Sequence, residues 1–261
     1  RFKQSFPEGR PVEKGFVVGV IGSKGGLGIS TLTLNAAISY NHLTKKDVMA
    51  VELKPGMGSW GIDLDIAESN GLENILALPL NEITPEKVEK YCVYTSFGIR
   101  LIMASVNNRQ VEFIEDTKKF AAIIKALKTL VPMLFLDIGN PYFQGFDAAC
   151  SLCNELLVVT DAFPATVLHT RRLLGNLMLD IGSKTIDVVL HHNTRSDMAL
   201  TAEQISKLLP TNPVKLMIPP VPEQAFEAQQ KNIPLVKLQP NGFYSTQLNE
   251  LSRMVHNRVI G

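Results

Sequence analysis

Short apolar runs recur seven times along the 261 residues. They lie at 16–22 (FVVGVIG), 47–53 (DVMAVEL), 99–105 (IRLIMAS), 133–139 (MLFLDIG), 156–161 (LLVVTD), 186–192 (IDVVLHH) and 214–219 (VKLMIP). Most are apolar throughout rather than alternating, the pattern of strands covered by helices on both faces of a sheet. Helical patterns separate them. Phe113, Phe120, Ile124, Leu127 and Val131 recur at helix spacing, and TVLHTRRLLGNLML and YSTQLNELSRMVHNRV read the same way. This alternation predicts an α/β fold, a doubly wound, mainly parallel sheet of about seven strands with helices on both faces.

A chain that is 45% hydrophobic and 20% charged can bury a full core without disulfides or structural metal. The polar opening, residues 1–15, reads as a linker or tail. One domain is expected over 16–261, and the absence of an initial Met fits a fragment. A net charge of +1, from 26 basic and 25 acidic residues, gives no electrostatic sign of nucleic acid or an anionic membrane. No apolar run reaches the roughly 18–20 residues of a membrane span. No signal peptide is visible, and the closing LSRMVHNRVIG makes a poor membrane anchor. The chain therefore reads as cytoplasmic, reaching a pole or a membrane surface only through partners. Cys150 and Cys153 have C-x-x-C spacing but no second ligand pair. With Cys92 they are expected to be small buried apolar residues.

The first apolar run ends at Gly22, and a helix is expected to begin near Gly28. Between them lies SKGGL. Glycines at such a turn let backbone N–H groups face a phosphate, and the following helix N-terminus adds its positive dipole end. Lys24, Gly25, Gly26, Leu27, Gly28, Ile29, Ser30 and Thr31 are thus the candidate nucleotide-binding residues. Ser30 falls where a phosphate-binding loop uses a hydroxyl to hold Mg²⁺, and Thr31 where it reaches a phosphate oxygen. The strict G-x-x-x-x-G-K-[ST] pattern is not met, because Ser23 replaces its first glycine and Ile29 its lysine.

SKGGLGIST, followed by LTLNAAISY, resembles the deviant Walker A loop of the MinD/ParA ATPases, a P-loop NTPase-like family whose loop reads K-G-G-x-G-K-[ST]. The resemblance runs along nearly the whole chain. It implies ATP and Mg²⁺ as cofactors. It also implies a homodimer across the nucleotide sites, with Lys24 as the early signature lysine that reaches the partner's nucleotide. LFLDIG matches the Walker B strand, so Asp137 is expected to hold Mg²⁺ through water, together with Ser30. Glu52 and Lys54 stand at the family's D-x-D, and Glu52 is the candidate catalytic carboxylate beside Lys24 and Asp137. VVLHHN falls on the strand whose end faces the base, which implicates His191 and Asn193. MIPPVPEQAFEAQQKNIPLV resembles the closing loop, which implicates Pro219 and puts Asn232 where a glycine is usual. The downstream GIDLDI resembles the CpaE/TadZ branch. That branch implies proteins of Flp-type pilus or secretion machinery as partners and a receiver-like domain upstream.

The departures fall on catalysis. Ile29 removes a phosphate cation, and Lys54 replaces a carboxylate that helps position the attacking water. Loss of one preorganised charge of this sort costs about 3–4 kcal/mol in the transition state, a factor of ~10²–10³. The expected activity is therefore at most slow ATP hydrolysis by a binding-competent localisation or assembly factor. The rivals are an active ATPase switch cycling on a membrane or nucleoid, and a scaffold without nucleotide. Lys54 has two readings, a solvated loop residue or one turned toward the phosphates. Trp60 is either an exposed anchor or a core plug. Of His191 and His192, strand alternation turns one to the core or the base and the other away.

Overall fold

The computed structural model describes residues 15–67, 69–107, 116–141, 145–181, 184–192 and 198–261. The chain opens with β1 (Phe16–Gly22), α1 (Ile29–Thr44) and β2 (Val48–Glu52). The short helices α2 (Trp60–Asp63), α3 (Gly71–Leu76) and α4 (Pro85–Glu89) follow. Next come β3 (Val93–Tyr94), β4 (Arg100–Ile102), α5 (Thr117–Leu127), β5 (Met133–Gly139), α6 (Phe146–Leu152) and β6 (Glu155–Thr160). The remainder is α7 (Pro164–Ile181), β7 (Thr185–His191), α8 (Ala202–Leu208), β8 (Val214–Ile218), α9 (Pro222–Gln230), α10 (Leu235–Leu238) and α11 (Phe243–Ile260).

All seven strands expected from the sequence are present, and β3 is an eighth among the described residues. The sheet order is β3-β4-β2-β5-β1-β6-β7-β8. Every pair is parallel except β3–β4 at the edge. Strand alternation divides the apolar residues between two cores. Val17, Ile21, Leu134, Leu136 and Ile138 pack with α3, α5, α6, α7 and α8 on one face. Val18, Val20, Met133 and Phe135 pack with α1, α10 and α11 on the other. That two-sided cover is why the runs carry almost no polar positions. Cys150 and Cys153 are buried and Cys92 half-buried, and burial pushes the Cys92 and Cys150 thiols up to about 12.

Parallel pairing brings the C-terminal ends of β1, β2, β5, β6 and β7 to one edge of the sheet, where an open α/β fold places its ligands. The register sets Val20 beside Asp137 and Glu52 beside Asp137. Away from that edge, Arg258 of α11 pairs with the buried Glu155 at the start of β6. It also pairs with Asp187 of β7, at 2.5 Å, which ties the last helix to the sheet.

Candidate nucleotide site

The β1–α1 loop has the backbone of a phosphate cradle. Gly26 and Gly28 take φ of 80° and 75°, left-handed values that favour glycine. Gly28 is the N-cap of α1 and no side chain caps that end, so the first-turn N–H groups are left to an external acceptor. A Cβ added at Gly25 or Gly26 would meet nothing within 4 Å. The outer face of the loop is therefore open. Beneath it the loop is held by packing. Leu27 and Ile29 are buried in the α1-side core, and Ile29 Cδ1 lies 2.8 Å from where a Cβ on Gly22 would stand. Ile29 thus fills apolar space under the cradle. Ser23 Oγ lies 3.2 Å from Thr170 Oγ1, which donates to Thr160 Oγ1 at 3.1 Å, so hydroxyls join the loop to α7 and β6.

His191 braces the same loop. Its Nδ1 lies 2.8 Å from the Leu27 carbonyl. A carbonyl only accepts, so Nδ1 carries the proton. The ring stands 2.6 Å from the position of a Cβ on Gly28, and burial holds its pKa below the ordinary range. His191, expected near the base, lies against Leu27 and Gly28 of the β1–α1 loop. His192 donates its backbone N–H to Ile218. Pro219 is half-buried just past β8. Asn193 and Phe113 lie outside the described residues.

The acidic side of the site departs from expectation most. Lys54 is not solvated. Its Nζ donates to Ser30 Oγ and stands 2.8 Å from Asp137 Oδ2. It is buried, and Asp137 is entirely so. The 2.8 Å approach makes an ion pair, though off the line of a good hydrogen bond. Neither Asp137 oxygen has a hydrogen-bond partner among the described residues. Ser30 and Asp137, the two groups expected to hold Mg²⁺, are therefore joined by an ammonium. Mg²⁺ does not fit this donor set as it stands, because a fixed positive charge already occupies the position between the two oxygens.

Glu52 is engaged elsewhere. Its Oε1 accepts from Ser59 N at 2.6 Å, Ser59 Oγ at 3.3 Å and Trp60 N at 3.2 Å, and its Oε2 accepts from Ala104 N at 3.1 Å. Burial raises its pKa to about 7, with Lys54 opposing and Asp137 adding to the rise, and the bonds from Ser59 and Ala104 opposing. With three backbone donors and a hydroxyl on its oxygens, Glu52 is built to fix the 53–60 loop. The sequence reading missed a second brace, Glu73. It accepts from Gly56 N at 2.9 Å and Ser105 N at 2.8 Å; a lone Glu on a short helix gives no signal of that role. Trp60 is a core plug, fully buried, and its Nε1 donates to Ser30 O at 3.1 Å. Lys24, by contrast, is exposed at the loop's lip, its Nζ 3.3 Å from Asp161 Oδ2. A cleft of about 320 Å³ adjoins Thr31, between α2 and α9.

No protein-family model matches the sequence, and no curated protein matches it. Solved structures do share the fold. A ParA family ATPase from Chlorobium tepidum TLS superposes with a TM-score of 0.79 at 18% identity, covering 91% of this chain and 98% of that one. The septum site-determining protein MinD of Pyrococcus horikoshii OT3, complexed with Mg-ADP, gives 0.76 at 21% identity, over 92% and 96%. MinD in the MinC:MinD complex of Aquifex aeolicus gives 0.75 at 19% identity, over 93% and 96%. The architecture is thus that of the ParA/MinD ATPases.

Proposed function

We propose that this chain binds ATP at residues 22–31 and uses it as a switch for pairing rather than as a rapidly hydrolysed fuel. Gly25 carries the reading. It has no left-handed backbone to demand glycine, and a side chain there would meet no protein atom. An open position of that kind beside uncapped N–H groups suits a ligand that must approach the backbone closely. The cleft beside Thr31 offers room for the nucleoside. The relatives in fold include a MinD with Mg-ADP.

Hydrolysis is slow on this reading, since Ile29 provides no phosphate cation, Lys54 provides no carboxylate and Glu52 acts as a positioning residue. The pairing partner is a second copy of the chain, met face to face across the loops with Lys24 at the lip. GIDLDI favours a localisation or assembly role of the CpaE/TadZ kind, serving Flp-type pilus or secretion machinery.

The test is calorimetric titration of ATP into wild type and Gly25→Val. A Cβ at this position meets no protein atom within 4 Å, so the thermal midpoint should hold while binding is lost. No heat of binding to wild type, with the loop empty in crystals grown with ATP, would sink the proposal and favour a scaffold without nucleotide.

A further inference from the structure

We infer that Lys54 is a built-in cation standing in for the divalent metal, so that the nucleotide binds here without Mg²⁺. The inference rests on the ATP-binding reading above and says what that site does with charge. Lys54 follows β2 by two residues, and its loop is strapped down along its length. Met57 N donates to Lys54 O at 3.1 Å, Gly56 N to Glu73 Oε1 at 2.9 Å, Gly58 N to Ser105 O at 3.0 Å and Ser59 N to Glu52 Oε1 at 2.6 Å. Gly58 cannot gain a side chain, because a Cβ there would fall 1.8 Å from Ala104 O. The backbone origin of Lys54 is thus fixed. Its stem packs beside Gly139, with Cδ 3.8 Å from the position a Cβ would take, an ordinary contact distance.

The ammonium ends on the two oxygen groups that a metal would bridge, Ser30 Oγ and Asp137 Oδ2. An ammonium has three N–H donors and no acceptor. One is donated to Ser30, and the approach to Asp137 is an ion pair rather than a hydrogen bond, which leaves N–H groups for a phosphate oxygen. Asp137 is buried, and this lysine is its ion-pair partner. Displacing Lys54 to admit Mg²⁺ would strand the ammonium among groups that are themselves buried, while keeping it would set a dication against a fixed positive charge. The same lysine offers the phosphates the charge that Ile29 does not. A lysine gives no exchangeable water ligands and no Lewis acid, which also agrees with slow turnover.

The experiment is a set of equilibrium titrations of the whole chain with ATP, in Mg²⁺ and in EDTA, with Mn²⁺ as a spectroscopic probe of the site. The expected result is an affinity that agrees within about threefold between the two conditions, with no protein-bound Mn²⁺ signal in the presence of ATP. Lys54→Ala should lose roughly tenfold or more in EDTA, regain part of it in Mg²⁺ and acquire the bound Mn²⁺ signal. Should Lys54→Ala fail to fold because Asp137 is left alone, the wild-type comparison decides without it. ATP binding to wild type that needs Mg²⁺, or a bound Mn²⁺ signal in wild type, overturns the inference while leaving the nucleotide site intact. Absence of ATP binding under both conditions overturns the nucleotide reading itself, and the inference with it.

Discussion

For Lys24 to serve a second copy of the chain it must first leave Asp161. The two side chains are 3.3 Å apart, with exposures of 45% and 12%. A half-exposed pair of this kind is worth about 0.2–1 kcal/mol, because water screens it and ordering a long lysine opposes it. Asp161→Asn removes the attraction with little other change. Asp161 Oδ1 accepts from Phe163 N at 2.9 Å, and an asparagine oxygen can keep that bond at the entry to α7. Each of two symmetric copies then avoids the release step. ATP-dependent dimerisation should therefore tighten by about 0.4–2 kcal/mol, roughly two- to thirtyfold in the dimer constant. Sedimentation equilibrium with and without ATP measures it. The variant should gain only when ATP is present, since the freed lysine has a phosphate to reach only then. An unchanged or weaker ATP-dependent dimer in Asp161→Asn, or Lys24→Ala pairing with ATP as well as wild type does, would refute the role given to Lys24.

Two further outcomes concern the frame around the site. Gly28→Ala should lower the thermal midpoint by several degrees in calorimetry, because a left-handed alanine costs about 1–2 kcal/mol and its Cβ would strike the His191 ring at 2.6 Å. An unshifted midpoint would mean that the loop does not hold this conformation. Glu155 supplies a pH dependence. Burial raises its pKa from the ordinary 4.5 to about 7, with Arg258 opposing and Asp187 adding to the rise. The folded state then holds that proton more tightly than the unfolded chain does. Its contribution to stability is full below pH 4.5 and is lost as pH rises toward about 7, by about 3 kcal/mol. Urea unfolding across that window should show stability falling with pH, and Glu155→Gln should flatten the slope; a slope of the opposite sign would contradict the assignment.

The sheet was legible because its strands are buried on both faces, so that burial wrote itself as unbroken apolar runs. β3 escaped for the opposite reason. Val93 and Tyr94 form a two-residue antiparallel edge with one half-buried and one exposed side chain, too short for any periodicity. The glycine-rich β1–α1 loop was legible because left-handed backbone at Gly26 and Gly28 restricts the residue type. The same physics accounts for Asn232, which stands where the resembled family has glycine. Its φ is 52°, and asparagine enters the left-handed region more readily than most residues. The destination of Lys54 was not legible. It depends on β2 and β5 pairing with Glu52 beside Asp137, a contact between segments far apart in sequence.

The two departures in the site are therefore linked rather than independent losses. The isoleucine at position 29 packs in the α1-side core and brings no charge, and Asp137 is buried with neither oxygen hydrogen-bonded among the described residues. A buried carboxylate left alone is strongly unfavourable, about 3–5 kcal/mol when a partner is removed. The D-x-D position is the one from which the strapped 53–60 loop delivers a side chain to Asp137. An aspartate there would add a second negative charge beside the first and would need a metal to reconcile them. A lysine there neutralises Asp137 in the free protein and still has an N–H for a phosphate. Counted one residue at a time against the loop it resembles, the proposed site lacks a cation and a carboxylate. On the proposal made above, Lys54 brings to Ser30 and Asp137, from the end of β2, the positive charge that Ile29 does not supply.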